Sequence, residues 1–220
     1  MSEIISHKNP KSIIAESVKI LRTNLQFSNV DGTLKTVMIT SSVPGEGKSF
    51  TTSNLGVAFA QLGMKVLVVD CDMRRGTQHK QFTVTNTNGL SDLLIDSNVD
   101  YIKYIKPTNV ENLSIVTAGT VPPNPSELLS SKSFENFVQT MREVFDIVIF
   151  DLPPVTVVPD AAIVATKVDK TVIISRVKVT PMEELEKTKK MLENVGANIA
   201  GVVVNGVKTS SKKYYGKYYN

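Results

Sequence analysis

The residues best suited to chemistry form one short stretch, Ser41-Ser42-Val43-Pro44-Gly45-Glu46-Gly47-Lys48-Ser49. It lies between an apolar run at 37–40 and a helical pattern at 50–62, which is the strand–turn–helix context of a phosphate-binding loop. Glycine lets the backbone approach an anion, and the first amides of the helix point at it. Lys48 is expected to contact the β and γ phosphates, and the Ser49 hydroxyl to ligate Mg²⁺. Ser42 replaces the first glycine of the motif G-x-x-x-x-G-K-[ST], so the stretch alone also fits an ordinary surface turn.

Carboxylates follow two further apolar runs. Asp70 and Asp72 come after one run, and Asp151 comes after another. Mg²⁺ takes few carboxylates and keeps several waters, so Ser49 and Asp151 would suit it. Of Asp70 and Asp72, one could share the metal shell while the other accepts a proton from an attacking hydroxyl. An aspartate at a strand end can also simply cap the next turn, but three of them beside a phosphate loop favour the catalytic interpretation.

The segment 208–220 contains four lysines, no acidic residue and four tyrosines, namely Tyr214, Tyr215, Tyr218 and Tyr219. It shows no apolar periodicity, and the sequence predicts a flexible tail. Such a tail could be a sticky end, a stacking segment for single-stranded nucleic acid, or a membrane-surface patch. Beside a nucleotide site it could also be a substrate. Phosphorylation adds about −1.5 to −2 charges per tyrosine, enough over four sites to reverse the sign of the tail.

These groups converge only if the chain alternates strands and helices. The predicted strands are 37–40, 66–69, 113–117, 147–150, 171–175 and a last buried strand at 199–204. The predicted helices are 9–27 (capped by Asn9, with Pro10 in its first turn), 50–62, short turns within 89–105, 126–131, 133–144, 160–167, and one opened by a capping box at Thr180-Pro181-Met182-Glu183. This alternation predicts an α/β fold, doubly wound, with a mostly parallel sheet and helices on both faces. Ligands bind beyond the carboxyl ends of such strands, where Ser42, Asp70, Asp151 and Asn205 lie.

Length and composition agree with one globular domain. The 220 residues are 41% hydrophobic and 21% charged, and we expect a single domain at 1–207 followed by the tail at 208–220. One cysteine, Cys71, suits a reducing cytoplasm and is interpreted as a small buried residue. No run approaches the roughly 18 apolar residues of a membrane span. The net charge of +4 is weak support for nucleic-acid binding, and we expect no nucleic-acid partner.

Four motifs and the tyrosine cluster together resemble one family over nearly the whole chain. The motifs are Ser-Ser-x-Pro-Gly-Glu-Gly-Lys-Ser at 41–49, Asp-x-Asp-Met-Arg-Arg at 70–75, Ala-Gly-x-x-Pro-Pro-Asn-Pro-Ser-Glu-Leu at 118–128, and Phe-Asp-x-x-Ile-x-Asp-x-Pro-Pro at 145–154. The chain resembles the bacterial tyrosine kinases (BY-kinases) of capsule and exopolysaccharide operons, of the separate-chain type (CpsD/CapB-like). These have a P-loop NTPase fold of the deviant Walker type shared with ParA and MinD proteins.

The resemblance implies ATP and Mg²⁺ as cofactors and a role for each site residue. Lys48 contacts phosphates and is catalytic, while Ser49, Asp72 and Asp151 hold Mg²⁺, some of them through water. Asp70 is the base for the tyrosine hydroxyl, and Asp72 also counts among the catalytic residues. The nucleotide-contacting residues are Pro44, Gly45, Glu46, Gly47, Lys48, Ser49, Phe50 and Asn205.

The resemblance also implies an assembly and partners. The tail tyrosines are phosphorylated between neighbouring subunits of a homo-oligomeric ring. Glu16, Lys19 and Arg22 match a Glu-x-x-Arg-x-x-Arg ring-contact motif in which Lys19 replaces an arginine, and Gly76 stands where the family usually has proline. The implied partners are the cytoplasmic segment of a membrane-embedded activator (polysaccharide co-polymerase type) and a cognate phosphotyrosine phosphatase. The expected location is cytoplasmic, peripheral to the inner face of the membrane through the activator.

Two other functions fit part of the sequence. A partitioning or cell-division switch ATPase (ParA/MinD-like) has the same broad fold, but usually carries an early lysine where this chain has Val43 and lacks a tyrosine-rich tail. A non-catalytic nucleic-acid-binding module would use the basic aromatic tail, but would not need the predicted magnesium site.

Overall fold

A computed structural model describes residues 4–28 and 33–208 of the chain. Within them the backbone forms one seven-stranded sheet, nine α-helices and a 3₁₀ helix at Tyr101–Tyr104. The strands are β1 (Thr36–Ser41), β2 (Val66–Asp70), β3 (Lys106–Pro107), β4 (Leu113–Val116), β5 (Ile147–Asp151), β6 (Lys170–Arg176) and β7 (Ile199–Asn205). The helices are α1 (Ile5–Lys8), α2 (Ile13–Phe27), α3 (Lys48–Ala60), α4 (Gln78–Phe82), α5 (Leu90–Ile95), α6 (Pro125–Ser130), α7 (Lys132–Val144), α8 (Asp160–Ala165) and α9 (Met182–Asn194).

The sheet has the order β3-β4-β2-β5-β1-β6-β7, and every neighbouring pair is parallel except β3 with β4. Helices cover both faces, as predicted for a doubly wound fold. The central strands β1, β2 and β5 are buried throughout, because parallel strands between two helical layers meet apolar neighbours on both sides. The register sets Asp70 beside Asp151 at the carboxyl ends of β2 and β5.

Two apolar clusters fill the two faces of the sheet. One face packs on α1 to α4 through residues such as Leu25, Leu55 and Phe59. The opposite face packs on α5 to α9 through residues such as Phe134 and Leu192. Successive strand residues enter different clusters, since side chains alternate across a strand.

The N-terminal helix was predicted to start at Asn9, and this was wrong. The amide of Asn9 closes α1 by donating to the Ile5 carbonyl at 2.8 Å. The long helix α2 begins at Ile13, where the Ser12 hydroxyl accepts from the Ala15 amide as an N-cap. Ser12 therefore has the N-cap role that was predicted for Asn9, because serine and asparagine side chains can both accept a hydrogen bond from an amide in the first turn of a helix.

The last strand was predicted to be buried, and this was also wrong. β7 lies at the edge of the sheet, and Val202 and Val204 are about half exposed, at 45% and 54%. The predicted capping box at Thr180 is absent from α9, whose N-cap position is Pro181 with no side-chain cap. The short elements α1, α4 and β3 were not predicted, because segments of two to five residues carry too little periodicity to recognise.

Candidate active site

The phosphate loop connects β1 to α3 and ends in a left-handed glycine. Gly47 is the N-cap residue of α3 with φ 98°, and Lys48 is the first residue of the helix. A Cβ on Gly47 would lie 2.1 Å from the side-chain nitrogen of Asn205. That nitrogen donates to the Glu46 carbonyl at 3.1 Å. The loop therefore requires glycine at 47 for its backbone conformation and for the approach of β7.

Ser42 stands where the motif has glycine, and the structure explains why serine is accepted. It is fully buried and does not belong to the residues with positive φ. Its carbonyl accepts from the Thr156 hydroxyl at 2.5 Å. Because the backbone at this position is not left-handed, a side chain costs no conformational strain.

Glu46 is a fully buried carboxylate that fastens the phosphate loop to the loop after β6. It accepts from the Val43 amide at 2.8 Å and from the Thr180 hydroxyl. The Thr180 oxygen accepts in turn from the Arg176 amide at 2.8 Å, and the Arg176 guanidinium donates to the Gly45 carbonyl at 3.0 Å. The sequence predicted Glu46 as a nucleotide-contacting residue, and that role stays a prediction. Thr180 and Arg176 were not predicted as residues of the site.

Asp70 and Asp151 form a buried carboxylate pair at the ends of adjacent strands. Burial raises the pKa of Asp70 well above its usual range, and the charges of Asp151 and Asp72 raise it further. Burial also raises the pKa of Asp151, although the Lys48 ammonium and a hydrogen bond from Ser49 act in the opposite direction. Two adjacent buried carboxylates cannot both ionise without a cation, so the site favours a positively charged ligand.

Gln78 connects the two carboxylates to the phosphate loop, and no pattern in the sequence predicts this role. Its amide nitrogen donates to Asp151 at 2.8 Å and to the Ser49 carbonyl at 3.1 Å, while its backbone N–H donates to Asp70 at 2.9 Å. The side chain is fully buried. Thr52, one turn after Lys48 on α3, donates to the second oxygen of Asp151 at 3.3 Å. Asp151 is therefore held by neighbours from α3 and α4.

Asp72 lies in the turn that follows β2, at the rim of this pair. Its amide donates to Asp70 at 3.3 Å, and its carboxylate accepts from the Arg75 amide at 2.9 Å. Cys71, between the two aspartates, is buried in the apolar cluster on the face of the sheet that packs on α5 to α9, as predicted from strand alternation. Arg74 is near the buried carboxylate of Asp160, at 3.7 Å.

The remaining predicted nucleotide contacts surround the loop. Pro44 and Gly45 are exposed at its tip. Phe50, in the first turn of α3, lines a shallow pocket of about 170 Å³ together with Asn205, at the end of β7. The structure thus brings together every predicted nucleotide and metal residue at one edge of the sheet.

The predicted ring residues lie on α2, away from the carboxylates, and make contacts within the chain. The Lys19 ammonium binds Glu16 at 2.7 Å and the Pro10 carbonyl at 2.9 Å. The Arg22 guanidinium donates to the Ala58 carbonyl of α3 at 2.9 Å. The tail tyrosines Tyr214, Tyr215, Tyr218 and Tyr219 lie outside the described residues, so their part of the prediction stays a prediction.

The donor set fits a magnesium ion. A hydroxyl (Ser49) and a carboxylate (Asp151) are hydrogen-bonded neighbours, with a second carboxylate (Asp70) beside them. Hard oxygen donors of this kind are the ligands that Mg²⁺ prefers. Within residues 4–28 and 33–208 there is no cluster of three or more His, Cys, Asp or Glu side chains arranged to hold a metal by themselves. Water and phosphate oxygens would complete the shell, as is usual for Mg²⁺.

The strand order, the loop between β1 and α3, and the aspartates at the strand ends define a P-loop NTPase. A family model described as an AAA domain matches residues 34–201. The septum site-determining protein MinD from Pyrococcus horikoshii has the same fold, with a TM-score of 0.65 at 21% identity over 77% of this chain and 69% of that one.

Closer relatives narrow the class to a family. The chain is 40% identical over 215 residues to tyrosine-protein kinase YwqD of Bacillus subtilis, covering 98% of this chain and 90% of that protein. The solved kinase domain of Escherichia coli tyrosine kinase ETK gives a TM-score of 0.90 at 35% identity, over 96% of this chain and 83% of that one. The chain belongs to the family of bacterial tyrosine-protein kinases, which confirms the resemblance drawn from its motifs.

Proposed function

We propose that this kinase transfers the γ-phosphoryl group of ATP to tyrosines of its own tail, between copies of the chain. The observation that supports this most is the buried pair Asp70–Asp151 beside Lys48 and Ser49. Phosphoryl transfer demands positioning and charge neutralisation more than covalent chemistry. This arrangement offers a cation, a metal-binding hydroxyl and two carboxylates within one site.

Each residue of the site has a task in the proposed reaction. The amides at the start of α3 and the Lys48 ammonium hold the phosphates. Ser49 and Asp151 would hold Mg²⁺, with Asp72 at the rim contributing through water, and bound Mg²⁺ would neutralise the charge that develops on the phosphate oxygens. The tyrosine hydroxyl forms the new O–P bond, the bond to the β-phosphate oxygen breaks, and ADP leaves.

Asp70 accepts the proton that the tyrosine hydroxyl loses. Burial and the neighbouring carboxylates raise the pKa of Asp70, and a base works best when its pKa is near the working pH. The amides of Gln78 and Asp72 donate to Asp70 and fix its orientation.

We also propose an assembly and a cellular location for this kinase. Copies associate through the face of α2 that carries Glu16, Lys19 and Arg22. A cognate phosphatase removes the phosphate groups again. This cycle of phosphorylation controls the synthesis and export of capsular polysaccharide or exopolysaccharide. None of the helices within the described residues is both long and apolar enough to cross a bilayer. We assign contact with the membrane to a membrane-embedded activator whose cytoplasmic segment binds this chain.

Intact mass spectrometry after incubation with ATP and Mg²⁺, with the activator segment present, tests the proposal. We expect mass steps of phosphate that map to Tyr214, Tyr215, Tyr218 and Tyr219. Asp70→Asn should slow them by about 10²–10⁴-fold, the range for loss of a general base. Asp100→Asn, an exposed aspartate elsewhere, is the matched control and should keep them.

A switch ATPase without kinase activity is the alternative. Release of ADP with no gain in mass would favour it, and would leave the tyrosine tail without a role in catalysis.

A further inference from the structure

Three segments that are distant in sequence meet at Asp160, which has no role in the reaction described so far. Asp160 is the first residue of α8 and is fully buried. The hydroxyl of Ser126, at the start of α6, donates to Asp160 Oδ1 at 2.5 Å. Nη2 of Arg74, in the turn after β2, donates to the Ser126 oxygen at 3.4 Å. Ser126 therefore bridges the guanidinium and the carboxylate.

The second oxygen of Asp160 depends on Arg74 alone. Within residues 4–28 and 33–208, no donor makes a hydrogen bond to the buried Oδ2. Nε of Arg74 lies 3.7 Å from it, which is an ion pair but too long for a hydrogen bond. A buried carboxylate tolerates its charge only beside a cation. Attraction between the charges and the bridging hydroxyl together hold the guanidinium at this position.

Asp160 lies near the carboxylates of the active site. Burial raises the pKa of the Cys71 thiol well above its usual range, and the charges of four carboxylates raise it further. These are Asp70, Asp151, Asp160 and Asp72. The ion pair of Asp160 with Arg74 is therefore part of the electrostatic surroundings of the proposed metal site.

Arg74 also has a second carboxylate within its reach. It follows Asp72 by two positions, so their Cα atoms are at most about 7 Å apart. The Arg75 amide donates to the Asp72 carbonyl at 3.2 Å, so the segment 72–75 forms a tight turn. The Arg74 side chain is 41% exposed and is not enclosed by neighbours. Because a guanidinium binds carboxylates strongly, a released Arg74 would pair with Asp72.

We propose that Asp160 and Ser126 are positioning residues that hold the Arg74 guanidinium away from Asp72 and so keep Asp72 available to Mg²⁺. This deepens the proposed kinase function and rests on its metal site. Arg74 and Asp160 together add no net charge beside that site, whereas an unpaired Arg74 adds one positive charge. A released guanidinium would lower the affinity for Mg²⁺ both by repulsion and by competition for Asp72.

The affinity of the full chain for a fluorescent ADP analogue, measured with and without Mg²⁺, tests the proposal. The ratio of the two dissociation constants is the metal gain, the factor by which Mg²⁺ tightens nucleotide binding. Asp160→Asn should reduce the metal gain about tenfold, because it leaves Arg74 unpaired. The affinity without Mg²⁺ should not fall, which distinguishes a lost metal contact from a damaged fold.

Two further variants separate position from charge. Asp160→Asn combined with Arg74→Met should restore the metal gain to within about twofold, since no free guanidinium remains. Ser126→Ala keeps both charges and removes only the bridging hydroxyl, and it should reduce the metal gain about threefold. Ser126→Thr keeps a hydroxyl and should preserve the metal gain.

The matched control is Asp169→Asn, at the opposite end of the sheet. Asp169 is paired with Arg142 at 2.7 Å and accepts from the amides of Lys35 and Thr36, where β1 begins. Its replacement also removes the aspartate of an aspartate–arginine pair, but it should leave the metal gain unchanged.

Several outcomes would overturn the positioning role. These are equal metal gains for Asp160→Asn and the unmodified chain, no recovery when Arg74→Met is added, or equal metal gains for Ser126→Ala and Ser126→Thr. The absence of any metal gain in the unmodified chain would overturn it together with the metal site.

The proposed kinase function fails in a different way, because ADP binding needs no acceptor tyrosine. A metal gain that depends on Asp160, without phosphate transfer in the presence of ATP and the activator segment, would keep the positioning role and overturn the self-phosphorylation proposal. Phosphate transfer with the same dependence on Mg²⁺ concentration in Asp160→Asn and the unmodified chain would keep the kinase and overturn the positioning role.

Discussion

On the phosphate-loop side of the carboxylates, Glu46 is fully buried and bound to Val43 and Thr180. On the side of the loop after β4, Ile95 and Val121 are mostly exposed. Hydrogen bonds between distant segments fix the first side for a ligand of constant shape, since every nucleoside triphosphate brings the same three phosphates. The exposed apolar side chains of the second side are not fixed in this way.

The largest effect is expected from the phosphate-loop side. Lys48→Met removes the cation beside Asp151 and should reduce phosphate transfer by about 10²–10³-fold, the range for loss of one electrostatic contact in a transition state. Steady-state kinetics measures the transfer, with Lys190→Met, a change at an exposed residue, as the control. Equal rates for Lys48→Met and Lys190→Met would show that the cation of the phosphate loop has no part in the transfer.

A second prediction concerns the carboxylates that separate the two sides. Because the pKa of Asp70 is raised in the folded chain, the native state keeps a proton that the unfolded state loses above pH ~3.9. The free energy of unfolding of the ligand-free chain should therefore fall as the pH rises from about 4 through the native pKa.

Asp70→Asn should reduce this dependence to the part that the raised pKa of Asp151 contributes. It should also stabilise the chain at neutral pH by about 1.4 kcal/mol per unit of the pKa shift of Asp70. Urea unfolding at pH 5 and pH 8, without Mg²⁺ or nucleotide, measures it. Glu127→Lys, a change at an exposed carboxylate, should show no such gain. Equal pH dependence in Asp70→Asn and the unmodified chain would mean that Asp70 carries no unfavourable buried charge.

The smallest effect is expected where the two sides meet, at Gly76. Gly76→Ala would place a Cβ against Ala118 and Asp70, and overpacking of this kind costs about 1–3 kcal/mol. Adding Ala118→Gly should recover part of the loss, because it removes the contact at 2.6 Å. Thermal unfolding of the two single variants and the double variant tests this, and strictly additive effects would show that residues 76 and 118 are not in contact.

The main features of the sheet and the site could be predicted from local patterns. Uninterrupted apolar runs predicted β2 and β5, and residues at strand ends of a parallel sheet converge whatever their sequence separation. That reasoning correctly brought Asp70 and Asp151 together with Lys48 and Ser49.

Contacts that depend on tertiary packing could not be predicted. Thr180 has the sequence of a helix cap, yet its hydroxyl donates to Glu46, 134 positions earlier. Gln78 lies in a helix of five residues, and only the packing of α4 beside α3 buries it between the two carboxylates. The apolar run of β7 predicted a buried strand because the sequence does not show that β7 is at the edge of the sheet.

The central claim is that the phosphate-loop side binds ATP and that Asp70 accepts the proton of the acceptor tyrosine. The most direct test measures kcat and the KM for ATP of phosphate transfer in Thr180→Val and Asp70→Asn. Thr180→Val removes a donor to the buried Glu46 carboxylate and should raise the KM for ATP about tenfold, with Thr180→Ser as the conservative control. Asp70→Asn should lower kcat by about 10²–10⁴-fold and leave the KM for ATP unchanged. If Asp70→Asn keeps the kcat of the unmodified chain, the account is contradicted.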